Sequence, residues 1–456
     1  MANFSMGHNP HQLYLLPPSP DDWLPEDHLS YMVRDIVGML DLSALTSTYS
    51  SDGRGAPAFS VAMMISIWFY GVAHGVYSCR KLARMCYEDV GARVLVGNHR
   101  PNFRCINDFR LRYGKAMDNL LLQSVALCKQ AKMLNLIDLS IDGSRFMSYA
   151  SKKGNIEYGR IDAEEARHLE FLRQITERAN AEDAQDDAKY GADGDGTKSD
   201  TIDKVKNRVA LLRQAKQILE AQAKADAVNK KRKYDEAAPG ERPHIKRPDP
   251  ETAVPAKTDQ YNPVDPESRV QKSCQQGFIQ GYNAQIAVDA SSQVIVSYDL
   301  SNARTDVEYL TPMLEKAITN TQLTPERVLA DAGYYSRKNV ECVDTKGVMA
   351  LIPPPLKKTE RETKVPESLT DEQVAALDTK MRMRYLLAQQ VNRKHYAKRM
   401  CSVETVFAHI KGSPGNMGYR RFLRRGVDKC KADWALLCCV HNFKKYWNHK
   451  MATAGA

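Results

Sequence analysis

The sequence predicts a mixed α/β protein: an all-helical block, then a strand-rich core that is interrupted by an inserted helical hairpin. Three observations lead there. Apolar side chains recur every three to four residues from 29 to 132. From Leu136 the period shortens to two, and Leu136–Asp142, Tyr282–Val288 and Val294–Leu300 read as strands. The helical period returns between them, with one apolar stripe at Leu169, Leu172, Ile175 and Ala179 and another at Ile202, Val205, Val209, Leu212 and Leu219. At 456 residues, 43% apolar and 26% charged, the chain has material for several cores and is not disordered throughout.

Residues 1–28 form a Pro-rich lead and 29–134 the helical block. Its segments are Tyr31–Leu40, Ala58–Tyr70, Cys79–Tyr87 behind Ser78 as N-cap, Phe103–Tyr113 after Pro101, and Asp118–Leu134. Two short helices here, separated by Gly91 and Gly97 and rich in Arg, have the size of a helix-turn-helix pair, which makes Arg104 and Arg110 candidate DNA contacts. The core, 135–154 and 270–450, continues past the hairpin turn Asp289–Ser292 with a helix at Val307–Ala317 and a strand at Val328–Ala330. A helix at Ser336–Val343 and a strand at Val348–Ile352, stopped by three prolines, follow. Between the core's two parts lies the insertion, 155–269: two helices around the acidic loop Ala181–Asp200, then a Pro-rich linker from Val228 with the basic run Lys230–Lys233. Asp193 and Asp195 superficially suggest a calcium loop, but Thr197 stands at the next ligand position and no Glu follows at the required distance. Both stripes exceed what one hairpin buries, so a leftover face is expected to meet DNA or a second subunit.

Several classes are excluded. The best apolar run, Ala58–Val72, is broken by Ser60 and Ser66 and is too short to span a bilayer. Residues 1–25 lack a basic cap followed by an apolar stretch, so an intracellular protein is expected. The ten cysteines show no C-x-x-C spacing and read as reduced, mostly buried thiols. The formal charge of +10 is concentrated: Val391–Lys450 holds 14 Lys and Arg against 3 acids, and the rest of the chain is almost neutral. Such clustering points to a polyanion, usually nucleic acid.

Three acids stand where this pattern would gather them. Asp142 ends the first strand before Gly143-Ser144, Asp331 ends the fourth in Ala330-Asp331-Ala332-Gly333, and Glu404 lies on a late helix. Each alone reads as a turn residue. Together they suit two divalent ions, which would activate a water or hydroxyl and neutralise a leaving oxygen in phosphoryl transfer. Asp138 shares the strand face of Asp142 but is the weaker candidate. Asp289, Asp299 and Asp306 read as turn and capping residues; Asn283 and Gln285 as DNA contacts or sheet-edge hydrogen bonders; His395, His409 and His441 as satisfied or solvated.

The order of these motifs resembles the DDE transposases of bacterial insertion sequences. The stretches are Ile141-Asp142-Gly143-Ser144, Gly281-Tyr282-Asn283-Ala284-Gln285, Ala330-Asp331-Ala332-Gly333-Tyr334 and Tyr419-Arg420-Arg421-Phe422-Leu423-Arg424-Arg425-Gly426. The span Tyr396 to Lys411 is similar to a Tyr-x2-Arg-x3-Glu-x6-Lys signature through Tyr396, Arg399, Glu404 and Lys411. The N-terminal block, with Tyr70-Gly71 and Phe109-Arg110, also looks like the domain such enzymes carry. The resemblance covers 29–150 and 270–450 and implies a ribonuclease H-like core and a helical domain for the element's ends. It also implies Asp142, Asp331 and Glu404 as catalytic metal ligands for two Mg²⁺ ions, which Mn²⁺ replaces, with Lys411, Arg420, Arg421, Arg424 and Arg425 on DNA. The implied reaction is hydrolysis at the terminal inverted repeats and strand transfer into target DNA, by a homo-oligomer in the cytoplasm at the nucleoid. A nuclease that cuts without joining, and a non-catalytic or domesticated DNA-binding protein, are the alternatives. One departure stands out: four residues, not three, separate Arg399 from Glu404. On a regular helix that offset turns Arg399 about 140° away, so Tyr396 and Arg399 are expected to miss the site while Lys411 shares Glu404's face.

Overall fold

The computed structural model describes residues 19, 22, 24–49, 58–97, 99–114, 116–190, 200–236, 246–273, 277–356, 365–366, 368–412 and 415–454. Seven helices come first: α1 (Leu29–Met39), α2 (Ser43–Thr46), α3 (Val61–Ala73), α4 (Cys79–Glu88), α5 (Val90–Val96), α6 (Phe103–Arg112) and α7 (Ala116–Gln130). Asn102 caps α6 by accepting from the Arg104 and Cys105 amides. The helix-turn-helix reading of α4 and α6 needs correction, because α5 lies between them. Gly91 is not a breaker but a close contact: a Cβ there would sit 2.3 Å from Tyr70 Oη. Tyr70 and Ala92 N both donate to Asp89, the cap of α5.

The main sheet is built from β1 (Asp138–Met147), β4 (Arg269–Ser273), β5 (Gly277–Asp289), β6 (Ile295–Ser301), β7 (Arg327–Leu329) and β8 (Met349–Leu351). A separate ladder pairs β2 (Ile156–Glu157) with β3 (Gln260–Tyr261). β5 is flanked by β1 on one side and by β4 and β6 on the other, while β7 and β8 continue parallel from β1. The first strand runs past its expected end at Asp142. Gly143 pairs with Gln285, and a Cβ at 143 would lie 2.3 Å from Gln285 Nε2, so the glycine admits a neighbour and turns nothing. β7 pairs only with the start of β1, ending at Ser140 opposite Leu329. Two residues beyond that last pair on each strand stand Asp142 and Asp331, level with one another by register alone.

Helices cover both faces. On one, α10 (Leu310–Thr321) and α11 (Arg337–Asp344) supply Met313, Leu314, Ala317, Val340 and Val343 against Leu139, Ile141 and Val328. After α12 (Asp371–Ala376) and α13 (Thr379–Ala388), α14 (Gln390–Arg399), a π turn at Met400–Glu404, α15 (Thr405–Lys411) and α16 (Val427–Ala454) serve the other face. There Val403, Val406, Phe407, Ile410, Trp434 and Leu437 join Ile286, Val288 and Tyr298 in one cluster. That cluster includes the apolar side chains of α1, α3, α4 and α6, so the N-terminal helices share a continuous core with α16.

The insertion is the expected antiparallel pair, α8 (Tyr158–Tyr190) and α9 (Asp200–Glu236), about 50 and 55 Å long. Ile161, Leu212, Ala215 and Leu219 pack at its base with Ile156 and Tyr261, and Arg208–Glu164, Arg213–Glu165 and Lys216–Asp162 pair across it. Leu169, assigned to the stripe, is 39% exposed. The linker expected from Val228 instead begins as helix: Lys230–Lys233 lie in the last turns of α9, and Lys233 pairs with Glu308 at 2.6 Å. Asp193, Asp195 and Thr197 lie outside the described residues.

Arg110, expected on DNA, is only 6% exposed. Its guanidinium donates to both oxygens of Asp433 at 3.2 and 2.6 Å and lies over the Trp68 ring. Arg424 shares Asp433 (3.1 and 2.8 Å) and its side chain is 10% exposed, so it too is withdrawn from the DNA-contact set. Two cations around one carboxylate clamp α6 to α16, because a buried charge stripped of its partner is costly. Asp433→Ala is expected to cost about 3 to 5 kcal/mol in urea unfolding, whereas Arg104→Ala, at an exposed position, should stay within about 0.5 kcal/mol. Equal losses in the two variants would show that the clamp does not hold the joint.

Candidate active site

One face of β1 is polar along most of its length, and α14 to α15 answer it residue by residue. Asp138, 3% exposed, accepts from Arg327 Nε at 2.6 Å and Lys398 Nζ at 3.1 Å, with His395 Nδ1 at 2.7 Å. Against the burial that would raise it, these bonds hold the Asp138 carboxyl below the ordinary range. Two residues on, Ser140 Oγ meets Ser402 Oγ at 2.9 Å. Asp142 Oδ2 accepts from Arg399 Nη1 at 3.0 Å, and Ser144 Oγ meets Lys411 Nζ at 2.5 Å. Asp138 is therefore spent on docking α14, and the candidate acid on this strand is Asp142.

The expectation that Arg399 points away is overturned. The extra residue between Arg399 and Glu404 is absorbed by the π turn at Met400–Glu404, whose i to i+5 pattern brings residues five apart back above one another. The Cys401 carbonyl accepts from Thr405 Oγ1 (2.6 Å) and Gln293 Nε2 (3.1 Å). Tyr396 is also at the site: its hydroxyl donates to the Ala330 carbonyl at 3.3 Å, beside Asp331. Arg399 Nε is buried without a hydrogen-bond partner among the described residues.

Burial pushes the Asp142 carboxyl up to about 6; Arg399 and the Gly143 amide oppose this, and the charges of Asp331 and Asp306 add to it. Asp331 accepts from the Gly333 amide at 2.9 Å, which holds the turn after β7. Glu404 and Asp142 line one cavity of about 790 Å³ with Ser144, Arg145, Lys411 and Arg420. Asp331 is outside that lining, and among the described residues no three His, Cys, Asp or Glu side chains are grouped to hold one metal ion. The structure thus levels Asp142 with Asp331 and sets Asp142 and Glu404 on one cavity, without closing all three on a point.

Asp306 does not fit its expected role as a capping residue. It caps nothing with its side chain; Oδ1 takes Asn283 Nδ2 at 2.6 Å, Gln285 Nε2 at 2.8 Å and Arg145 Nη1 at 3.1 Å. Gln285 also receives the Tyr334 hydroxyl. This network backs the cavity from the opposite face of β1 and ties the Asp331 loop to β5. Asn283 and Gln285 are buried in it and are not free for DNA. The hint in the sequence was the alternating amide pair Asn283 and Gln285 set among Tyr282, Ala284 and Ile286, which needs buried polar partners.

Arg420 lines the cavity, Arg421 is exposed beside Met147, and Arg425 lies over the Tyr149 ring. Arg104 is exposed, remote in sequence from these. Two carboxylates, Asp142 and Glu404, face a cavity that also carries Arg145, Lys411 and Arg420, a charge pattern suited to a polyanion. Residues 244–443 match the Transposase DDE domain and residues 18–112 the Transposase domain (DUF772). The chain belongs to the DDE transposases of insertion sequences, a family that generally uses divalent metal ions. No curated protein and no solved structure matches it. Asp142 falls outside both matched segments and reaches the site because β1 pairs between β5 and β7.

If the π turn only absorbs one residue, deleting Cys401 should restore a regular helix, leave urea stability within about 1 kcal/mol, and preserve DNA cleavage. Unfolding or lost cleavage in that variant would show that the π turn itself is required.

Proposed function

We propose that this chain cleaves DNA at the ends of its insertion sequence and joins the freed 3′-hydroxyl to target DNA, on a ribonuclease H-like core. The observation that carries this reading is the register that levels Asp142 with Asp331 while the helix bearing Glu404 is bound to the same strand by Arg399 and Lys411. Described helices include none long and apolar enough to cross a membrane.

The donor set suits a hard divalent cation. Only carboxylate oxygens are offered, and the Asp142 carboxyl is raised by burial first and then by the charges of Asp331 and Asp306, against the single cation Arg399, so a bound cation would add to its counter-charge. Asp142, Asp331 and Glu404 would hold the ion, which when bound lowers the pKa of an attacking water or hydroxyl and neutralises the leaving oxygen. The chain's own groups do the rest. Lys411, braced by Ser144 Oγ and the Arg145 carbonyl and lying over the Phe146 ring, presents fixed positive charge to a phosphate in the cavity. Arg399 supplies counter-charge to Asp142 from a site that Tyr396 and Ser402 brace. Arg420, Arg421 and Arg425 guide the DNA backbone along the rim, the N-terminal helices with Arg104 take the terminal repeat, and a second copy completes the paired-end complex.

On a plasmid carrying the DNA that flanks the coding region, the wild-type chain should nick and join strands with Mg²⁺. Asp142→Asn, Asp331→Asn and Glu404→Gln should each abolish both steps and leave DNA affinity unchanged; full cleavage by any one removes that residue from the site. Nicking without joining would establish a nuclease instead.

The rim arginines make a separate claim. Replacing Arg420, Arg421 and Arg425 with Gln should flatten the dependence of log K on log salt by about 0.9 per contact. Arg424→Gln should leave that slope alone and lower stability, and the reverse pattern would undo the division drawn between them.

A further inference from the structure

A second cavity, of about 340 Å³, adjoins the first on the far side of α15, and Thr405 and Ala408 line both. Its other walls are Gln293, His409, Asn416, His441, Lys444, Lys445 and Asn448. We propose that it binds a phosphate of the same DNA strand that occupies the catalytic cavity, a role that rests on the transposase reading above.

The charge of this cavity comes from two lysines alone. His441 Nε2 lies 2.9 Å from the Gln293 carbonyl, which can only accept, so that nitrogen carries the hydrogen. Nδ1 of His441 then accepts from Nδ1–H of His409 at 2.8 Å, and both rings are neutral. Burial, with the lysines nearby, lowers them to about 4 for His409 and about 3 for His441, in agreement with that proton count. Lys445 Nζ spends one donor on Gln293 Oε1 at 2.6 Å. Among the described residues neither Lys444 nor Lys445 has a carboxylate partner, and partial burial pulls both below the ordinary lysine range. Two adjacent ammonium groups half-withdrawn from water, with no counter-ion and with the amides of Asn416 and Asn448 alongside, make a cavity that an anion completes.

The shared wall argues for a polymer. Thr405 and Ala408 are one helical turn apart, about 4.5 Å along α15, so an occupant of the catalytic cavity that continues over that ridge enters the second one. A phosphodiester strand carries anionic groups at regular intervals and is the substrate class of this family. The cavity is also rigidly referred to the catalytic helix, because Gln293 bonds both Lys445 and the Cys401 carbonyl inside the π turn that ends at Glu404. A phosphate held there would fix the strand's path relative to Glu404.

The test compares full-length wild type with Lys444→Gln, Lys445→Gln and the double variant. The readouts are binding of a fluorescent duplex of arbitrary sequence across a salt series, and inorganic phosphate binding by calorimetry. Each lysine that neutralises a phosphate should flatten the log K against log salt slope by about 0.9, so the double variant should lose about 1.8. Lys444→Arg with Lys445→Arg should restore the slope, and thermal melting identifies any variant that has simply unfolded. An unchanged slope in a folded double variant overturns the proposal. Loss of phosphate binding with an unchanged duplex slope assigns the cavity to a free anion and overturns it too. Wild type that shows no salt-dependent duplex binding defeats the transposase reading itself, a result distinct from either.

Discussion

The catalytic half of the molecule hangs on one constraint: β1 carries charged and polar side chains on a face that must be buried. Asp138, Ser140, Asp142 and Ser144 are two apart, so they share that face, and water is displaced from it by the chain from α14 to α15. Each needs a partner once buried. His395 and Lys398, Ser402, Arg399 and Lys411 supply those partners from a single continuous segment. Glu404 is embedded in the same segment and is positioned by contacts it does not itself make.

The π turn follows from this. With the Arg399 and Lys398 contacts at one end and the Lys411 contact at the other, the intervening helix has one residue more than a regular α-helical path accommodates, and the surplus is taken up locally at Met400–Glu404. Such a turn frees backbone acceptors, and here Thr405 and Gln293 side chains satisfy the Cys401 carbonyl. On the other face of β1, Asp306 with Arg145, Asn283 and Gln285 braces the strand from behind. The site is thus sandwiched between two polar networks, one charged across its cleft and one closed on itself.

The basic residues divide by burial. Arg110 and Arg424 surround Asp433 in the joint between α6 and α16, while Arg420 lines the cleft, Arg421 and Arg425 are exposed beside Met147 and Tyr149, and Lys444 and Lys445 half-sink into the second cavity. Type and clustering alone do not separate these groups, since a guanidinium that holds a carboxylate in the core and one that stands open to solvent look identical in a sequence.

Much was nonetheless legible without coordinates. Periodicity determined the helical block, the hairpin of β5 and β6, the inserted helix pair and the strands that lead to Asp142 and Asp331, though not that β1 continues past Asp142 to Met147, because burial of one face imposes a period of 3.6 or 2 on the chain itself. Motif order determined the family. What needed the tertiary structure was every feature set by a partner distant in sequence. Gly143 reads as a turn until Gln285 is seen filling the space of its missing Cβ. Asp306 reads as a cap until Asn283, Gln285 and Arg145 converge on it. Arg399 reads as misplaced until the π turn is seen to restore its aim at Asp142. Local pattern records which face of an element is buried; only packing decides what it is buried against, and for charged and polar side chains that identity determines their role.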